Sequence, residues 1–116
     1  MELFTRANLG PSYDVNTWCD LYTTSTKTSG AILFNFGVAN ATGIETSSEN
    51  SIIVSARIID SDGNSVAYII VNTEVTNIGI LAQNKIVLNP GDTIQIRANA
   101  VGCIFYASLT SNVKIA

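Results

Sequence analysis

At 116 residues the chain has room for one domain, and hydrophobic residues at 47% are enough to fill its core without a metal or disulfide staple. Charged residues make up only 13%, about half the share of an average globular chain, and Thr, Ser and Asn stand in their place. A net charge of −3 with scattered basic residues (Arg6, Lys27, Arg57, Lys85, Arg97 and Lys114) leaves no electrostatic footprint for DNA or RNA.

Met1 to Thr17 shows no sustained period and carries Gly10-Pro11-Ser12, so residues 1–17 are expected to form an irregular N-terminal arm ahead of one domain over 18–116. The opening Met1-Glu2-Leu3-Phe4-Thr5-Arg6 has no basic leader followed by an apolar stretch, and no apolar run is long enough to cross a bilayer. Synthesis in the cytosol, with no membrane partner, is the expectation.

Trp18 to Thr24 reads as a first strand, closed by the polar turn Thr24 to Gly30. Ala31 to Ala39 follows as a second, with Phe34 and Phe36 expected on one face and Leu33 and Asn35 on the other. Asn40 to Asn50 is a loop. In Ser51 to Asp60, Ile52, Val54, Ala56 and Ile58 alternate with Ile53, Ser55, Arg57 and Ile59, the period of a half-buried strand. Asp60-Ser61-Asp62-Gly63-Asn64 joins it to Ser65–Asn72, and the Asp-Gly pair marks a hairpin because Gly accepts a positive φ.

Val75 to Leu81 is a shorter strand broken by Gly79, and Lys85 to Leu88 is another. Asn89-Pro90-Gly91-Asp92 is a tight turn, with proline's fixed φ at its second position and glycine at its third. Thr93–Asn99, Gly102–Leu109 and Asn112–Ile115 complete the series. About eight short strands with turn signals every eight to twelve residues predict an all-β fold: one antiparallel β-sandwich or jelly-roll-like domain.

The chain has no His, which removes the commonest general base, the Ser-His-Asp and Cys-His nucleophiles and most zinc sites. Cys19 and Cys103 are far apart and are expected as reduced, buried thiols. Asp60, Asp62 and Asn64 loosely resemble the start of a calcium loop, but Ser65 to Val71 offers no closing carboxylate and a plain turn accounts for them. Asp14, Asp20, Glu45 and Glu49 are the remaining acidic candidates, and nothing in their spacing selects a pair for hydrolysis. No catalytic, cofactor-binding or metal-binding residue is assigned, and no enzymatic activity is expected. The aromatics Tyr13, Trp18, Tyr22 and Tyr106 are candidates for a glycan platform or a subunit interface. An exterior so poor in charge is expected to be covered in part by other subunits, making a homo-oligomer.

The most specific pattern lies late in the chain. Ile86-Val87-Leu88-Asn89-Pro90-Gly91-Asp92-Thr93-Ile94-Gln95-Ile96-Arg97-Ala98 joins an aliphatic strand to an alternating one, and Gly102 to Leu109 returns. With Leu21 to Thr24, Asn40 and the Asp62-Gly63 hairpin before it, this resembles the small β-sandwich virion proteins of tailed bacteriophages, in tails, necks, baseplates or capsid decoration. The resemblance implies a non-enzymatic virion component, trimeric or in larger rings, contacting other virion proteins and assembled in the host cytoplasm. It carries over no functional residue. The alternative is a carbohydrate-binding or receptor-binding module using Tyr13, Trp18 or Tyr106.

Overall fold

A computed structural model describes residues 2–42, 52–75, 80–82 and 85–113, and every regular element in them is a strand. In chain order these are β1 (Glu2–Leu9), β2 (Cys19–Thr23), β3 (Thr28–Asn40), β4 (Ile52–Ile59), β5 (Ser65–Val75), β6 (Ile80–Ala82), β7 (Ile86–Leu88), β8 (Thr93–Ala98) and β9 (Cys103–Val113). All pairings are antiparallel and fall into two sheets. The first runs β1-β9-β3, with β6 and β7 end to end along the far edge of β3, and the second runs β2-β8-β4-β5. The two sheets form the predicted β-sandwich.

Strand alternation builds the core between them. β4 sends Ile52, Val54, Ala56 and Ile58 inward as its pattern predicts, and β8 adds Ile94, Ile96 and Ala98. From the first sheet, Phe105, Ala107 and Leu109 of β9 meet Leu33, Phe36 and Val38 of β3. Phe36 and Phe105 lie tilted with ring centres 6.4 Å apart. Each such buried aromatic or aliphatic side chain contributes about 1.5–3 kcal/mol through removal from water.

Two expectations are corrected. The N-terminal stretch is not an irregular arm over its first half: Glu2 to Leu9 pairs residue for residue with Asn112 to Phe105 as an edge strand. The polar–apolar alternation of Arg6-Ala7-Asn8-Leu9 fits such an edge, with Ala7 and Leu9 packed on the core, although Phe4 breaks it by facing outward. Phe34 and Phe36 also do not share a face. Leu33 pairs with Leu109 and Asn35 with Ser108, so two steps along β3 match one along β9. That bulge resets the alternation and points both Leu33 and Phe36 inward, leaving Phe34 half-exposed.

Val75 ends β5, while Ile80 opens β6; Gly79 lies outside the described residues, as do most of the 40–50 loop, Glu45, Glu49, Lys114 and the chain end beyond Val113.

The two signalled turns form as their residues require. Gly63 has φ +85°, and the Asp60 carboxylate accepts the N–H groups of Asp62 and Asn64, both at 3.0 Å. Its oxygen is thereby committed to the hairpin. At the second turn, Gly91 has φ +87° and Asp92 donates its N–H to the Asn89 carbonyl at 3.0 Å, a type II geometry. The buried Asp92 carboxylate accepts the Asn89 N–H at 2.9 Å. Thr24, just past β2, exchanges backbone hydrogen bonds with Gly91 and Asp92, fastening the turn to the end of that strand.

Candidate functional site

The structure does not gather the four candidate aromatics into one platform. Tyr13 is only 8% exposed and belongs to the core, its ring edge-on to Phe105 at 5.5 Å. Its hydroxyl donates to the Ala100 carbonyl at 2.7 Å and accepts the Cys103 N–H at 3.2 Å. Burial pushes the phenol up to about 12, and burial likewise raises the Cys103 thiol. Tyr22 is half-buried on β2 and packs against the core. Tyr106 lies across Gly37, where any side chain would meet its ring. Trp18 lies on the outer face of the second sheet. Cys19 and Cys103 are both free thiols, the first half-buried.

Two outer faces remain to be described, and their chemistry differs. On the first sheet, Phe4 of β1 is the register partner of Thr110 on β9, Thr110 of Ile32 on β3, and Ile32 of Val87 on β7. These residues form one row straight across the sheet. Phe4 is 80% exposed and Val87 72%, while Ile32 and Phe34 are partly exposed beside them. A hollow of about 230 Å³ opens beside Ile32, Val87 and Thr110, and another of about 440 Å³ between Phe4, Arg6 and Phe34. Lys85 stands over the Phe34 ring at 5.8 Å. Thr110, between Phe4 and Ile32 in the row, is buried, so the exposed apolar side chains stand on either side of it; clusters of exposed apolar side chains mark contact sites.

The second sheet exposes Val66, Tyr68 and Val71 of β5, and its outer face also carries a polar, cationic cluster. The Trp18 ring packs on two guanidinium groups, Arg57 at 4.1 Å and Arg97 at 4.8 Å from its centre. Arg57 is fixed further by donating to Gln95 at 3.0 Å and Ser65 at 3.1 Å, and Gln95 in turn donates to the Asp20 carboxylate at 2.9 Å. Next to Arg97 is a recess of about 140 Å³ bordered by Asn16, Ser55, Asn72 and Asn99.

Sequence reasoning singled out Trp18 but missed its cationic partners and the apolar row. Alternation held the signal for Val87: it lies between Ile86 and Leu88, so an all-apolar strand had to turn one residue outward. Phe4 was hidden by reading residues 1–17 as an arm. Among the described residues no group of three or more His, Cys, Asp or Glu gathers as a metal site would need.

No family model matches the chain, and no curated protein matches it by sequence. Among solved structures, a chain in the acidic stable capsid of Helicobacter pylori bacteriophage KHP30 is similar in fold, with a TM-score of 0.55 at 9% identity, covering 97% of this chain and 87% of that one. The catalytic domain of a GH87 α-1,3-glucanase in complex with nigerose aligns at a TM-score of 0.29 and 14% identity, covering 99% of this chain but 27% of that one, too low a likeness to bear on the fold.

Proposed function

We propose that this protein is a non-enzymatic structural component of a bacteriophage virion, assembling with copies of itself and with other virion proteins through the outer face of its first sheet. The observation that carries this reading is the likeness in shape, over nearly the whole of both chains, to a chain of a phage capsid. The strand order supports it as well. With β6 and β7 taken as two pieces of one edge, four strands in each sheet interleave as in a jelly roll, an architecture common in capsid proteins. The Phe4–Ile32–Val87 row supplies the contact surface, and the hollows on either side of it can receive a neighbour's side chains.

The test is the mass of the purified protein in solution, wild type against Val87→Asp. Val87 is exposed, so the variant keeps its fold, and the expected result is an oligomer, a trimer or larger ring, that the added carboxylate breaks into monomers. A wild-type chain that stays monomeric at tens of micromolar and does not associate with particles of its parent phage would overturn the proposal.

A further inference from the structure

Beside Trp18, the second sheet holds a recess that is independent of the virion reading. Both non-glycine residues with positive φ among the described residues, Asn16 at +54° and Asn72 at +43°, border it. Asparagine adopts that region more readily than most residues, and Asn72 lies where three steps along β5 match two along β4, so the bulge places it at the rim. The two are anchored from different parts of the chain: Asn16 donates its N–H to the Ala98 carbonyl at 2.7 Å, and Asn72 donates its N–H to the Ser55 hydroxyl at 2.8 Å.

The polar groups are also placed for a ligand. Asn99 commits its carbonyl oxygen to the Ile53 N–H at 2.8 Å, which leaves its amide nitrogen as a donor at the rim. Arg97 has its guanidinium on the Trp18 ring but no hydrogen bond to any described residue. Arg57, on the same ring, has two of its donors engaged, with Gln95 and Ser65, and adds a second positive charge.

From this we infer that the recess between Asn16, Asn72, Arg97 and Asn99 binds one acidic sugar unit, its carboxylate on the Arg97 fork and its hydroxyls on the asparagine amides. A planar guanidinium matches a carboxylate with two parallel N–H bonds. The Asn72 and Asn99 oxygens are taken by Ser55 and Ile53, which leaves their amide nitrogens to donate to sugar hydroxyls, whereas a bare carboxylate would use the fork and leave the amides idle. A volume of about 140 Å³ suits a single small ring and is well short of the roughly 300 Å³ at which sites for drug-sized ligands begin.

Trp18 is the only tryptophan, so its fluorescence reports the site directly. The experiment titrates the intact protein with galacturonate, with galactose (identical but for the carboxylate) and with acetate, at matched ionic strength. The expected result is a saturable change with galacturonate alone, weakened about tenfold in Arg97→Gln and partly restored in Arg97→Lys. If Arg97→Gln does not fold, Asn16→Gly decides, because glycine keeps the positive φ while removing the amide; weaker galacturonate binding supports the inference. Equal response to galactose, acetate binding as tightly as galacturonate, undiminished binding in the variants, or no saturable change would each overturn it. The acetate outcome would assign the fork to a bare carboxylate, such as a neighbouring subunit's side chain.

Discussion

Replacing Tyr13 by Phe removes one oxygen atom from the core and leaves two backbone groups without their partner. The hydroxyl bridges the Ala100 carbonyl and the Cys103 N–H, tying the segment before β2 to the turn that enters β9. Losing a buried bridge of this kind costs about 1–3 kcal/mol, while the ring and its edge contact with Phe105 remain. The pH dependence separates this cause from a general packing defect. Burial raises the Tyr13 phenol from 10 to about 12, so the folded protein keeps the proton that the unfolded chain begins to release near pH 10. Its contribution is fully present below pH 10 and is lost as pH rises towards 12. At pH 11 the loss is about 1.4 kcal/mol, since one pKa unit corresponds to about 1.36 kcal/mol. Urea unfolding followed by Trp18 fluorescence at pH 7 and pH 11 measures both numbers. The variant should be less stable at pH 7, and the gap should narrow by about 1.4 kcal/mol at pH 11. Equal stabilities at pH 7, or a gap unchanged between the two pH values, would refute the assignment of Tyr13 to a buried hydrogen-bonded bridge.

Phe36 is fully buried against Phe105, and Phe36→Ala should cost about 3–5 kcal/mol in denaturant unfolding. Asp92→Ala takes the acceptor from the Asn89 N–H and should cost about 1–3 kcal/mol, whereas Asp92→Asn keeps an oxygen there and should lose less; thermal melts of the two variants make the comparison. Gly63→Ala and Gly91→Ala each force a side chain into positive φ, at about 1–2 kcal/mol. Of the two, Gly91→Ala should be the more destabilising in the same melts, because its new methyl would meet the Ser61 Cβ at 3.2 Å while the space around Gly63 is open.

The all-β class and most strands were legible because period-two alternation and turn residues are local properties. β4 is the clearest case: Ile52, Val54, Ala56 and Ile58 are inward in both pattern and structure. The turns at Gly63 and Gly91 were equally readable, since few residues other than glycine tolerate their φ. The bulge at Phe34 was not, because it depends on how β3 registers against β9, a strand about 70 residues away. β1 was missed for a related reason. Its alternation is weak, and it becomes a strand by pairing with the far end of the chain. The same distance hid the cationic cluster, as Trp18, Arg57 and Arg97 have no local spacing that announces them.

The chemical difference between the two outer faces sets an orientation. Phe4, Ile32 and Val87 gain from being covered, since each exposed apolar Å² removed from water contributes roughly 25 cal/mol. The second sheet also exposes Val66, Tyr68 and Val71, but Arg57, Arg97 and the asparagines on its outer face oppose covering. Burying a guanidinium without a matched anion costs several kcal/mol, and Arg97 brings no hydrogen-bond partner of its own among the described residues. A neighbour docking on the first sheet therefore leaves the second pointing away across the thickness of the sandwich. Assembly and recognition then do not compete for surface. In the proposed assembly, covering that row would leave Trp18 and its two arginines facing the solvent, where an acidic ligand would meet them.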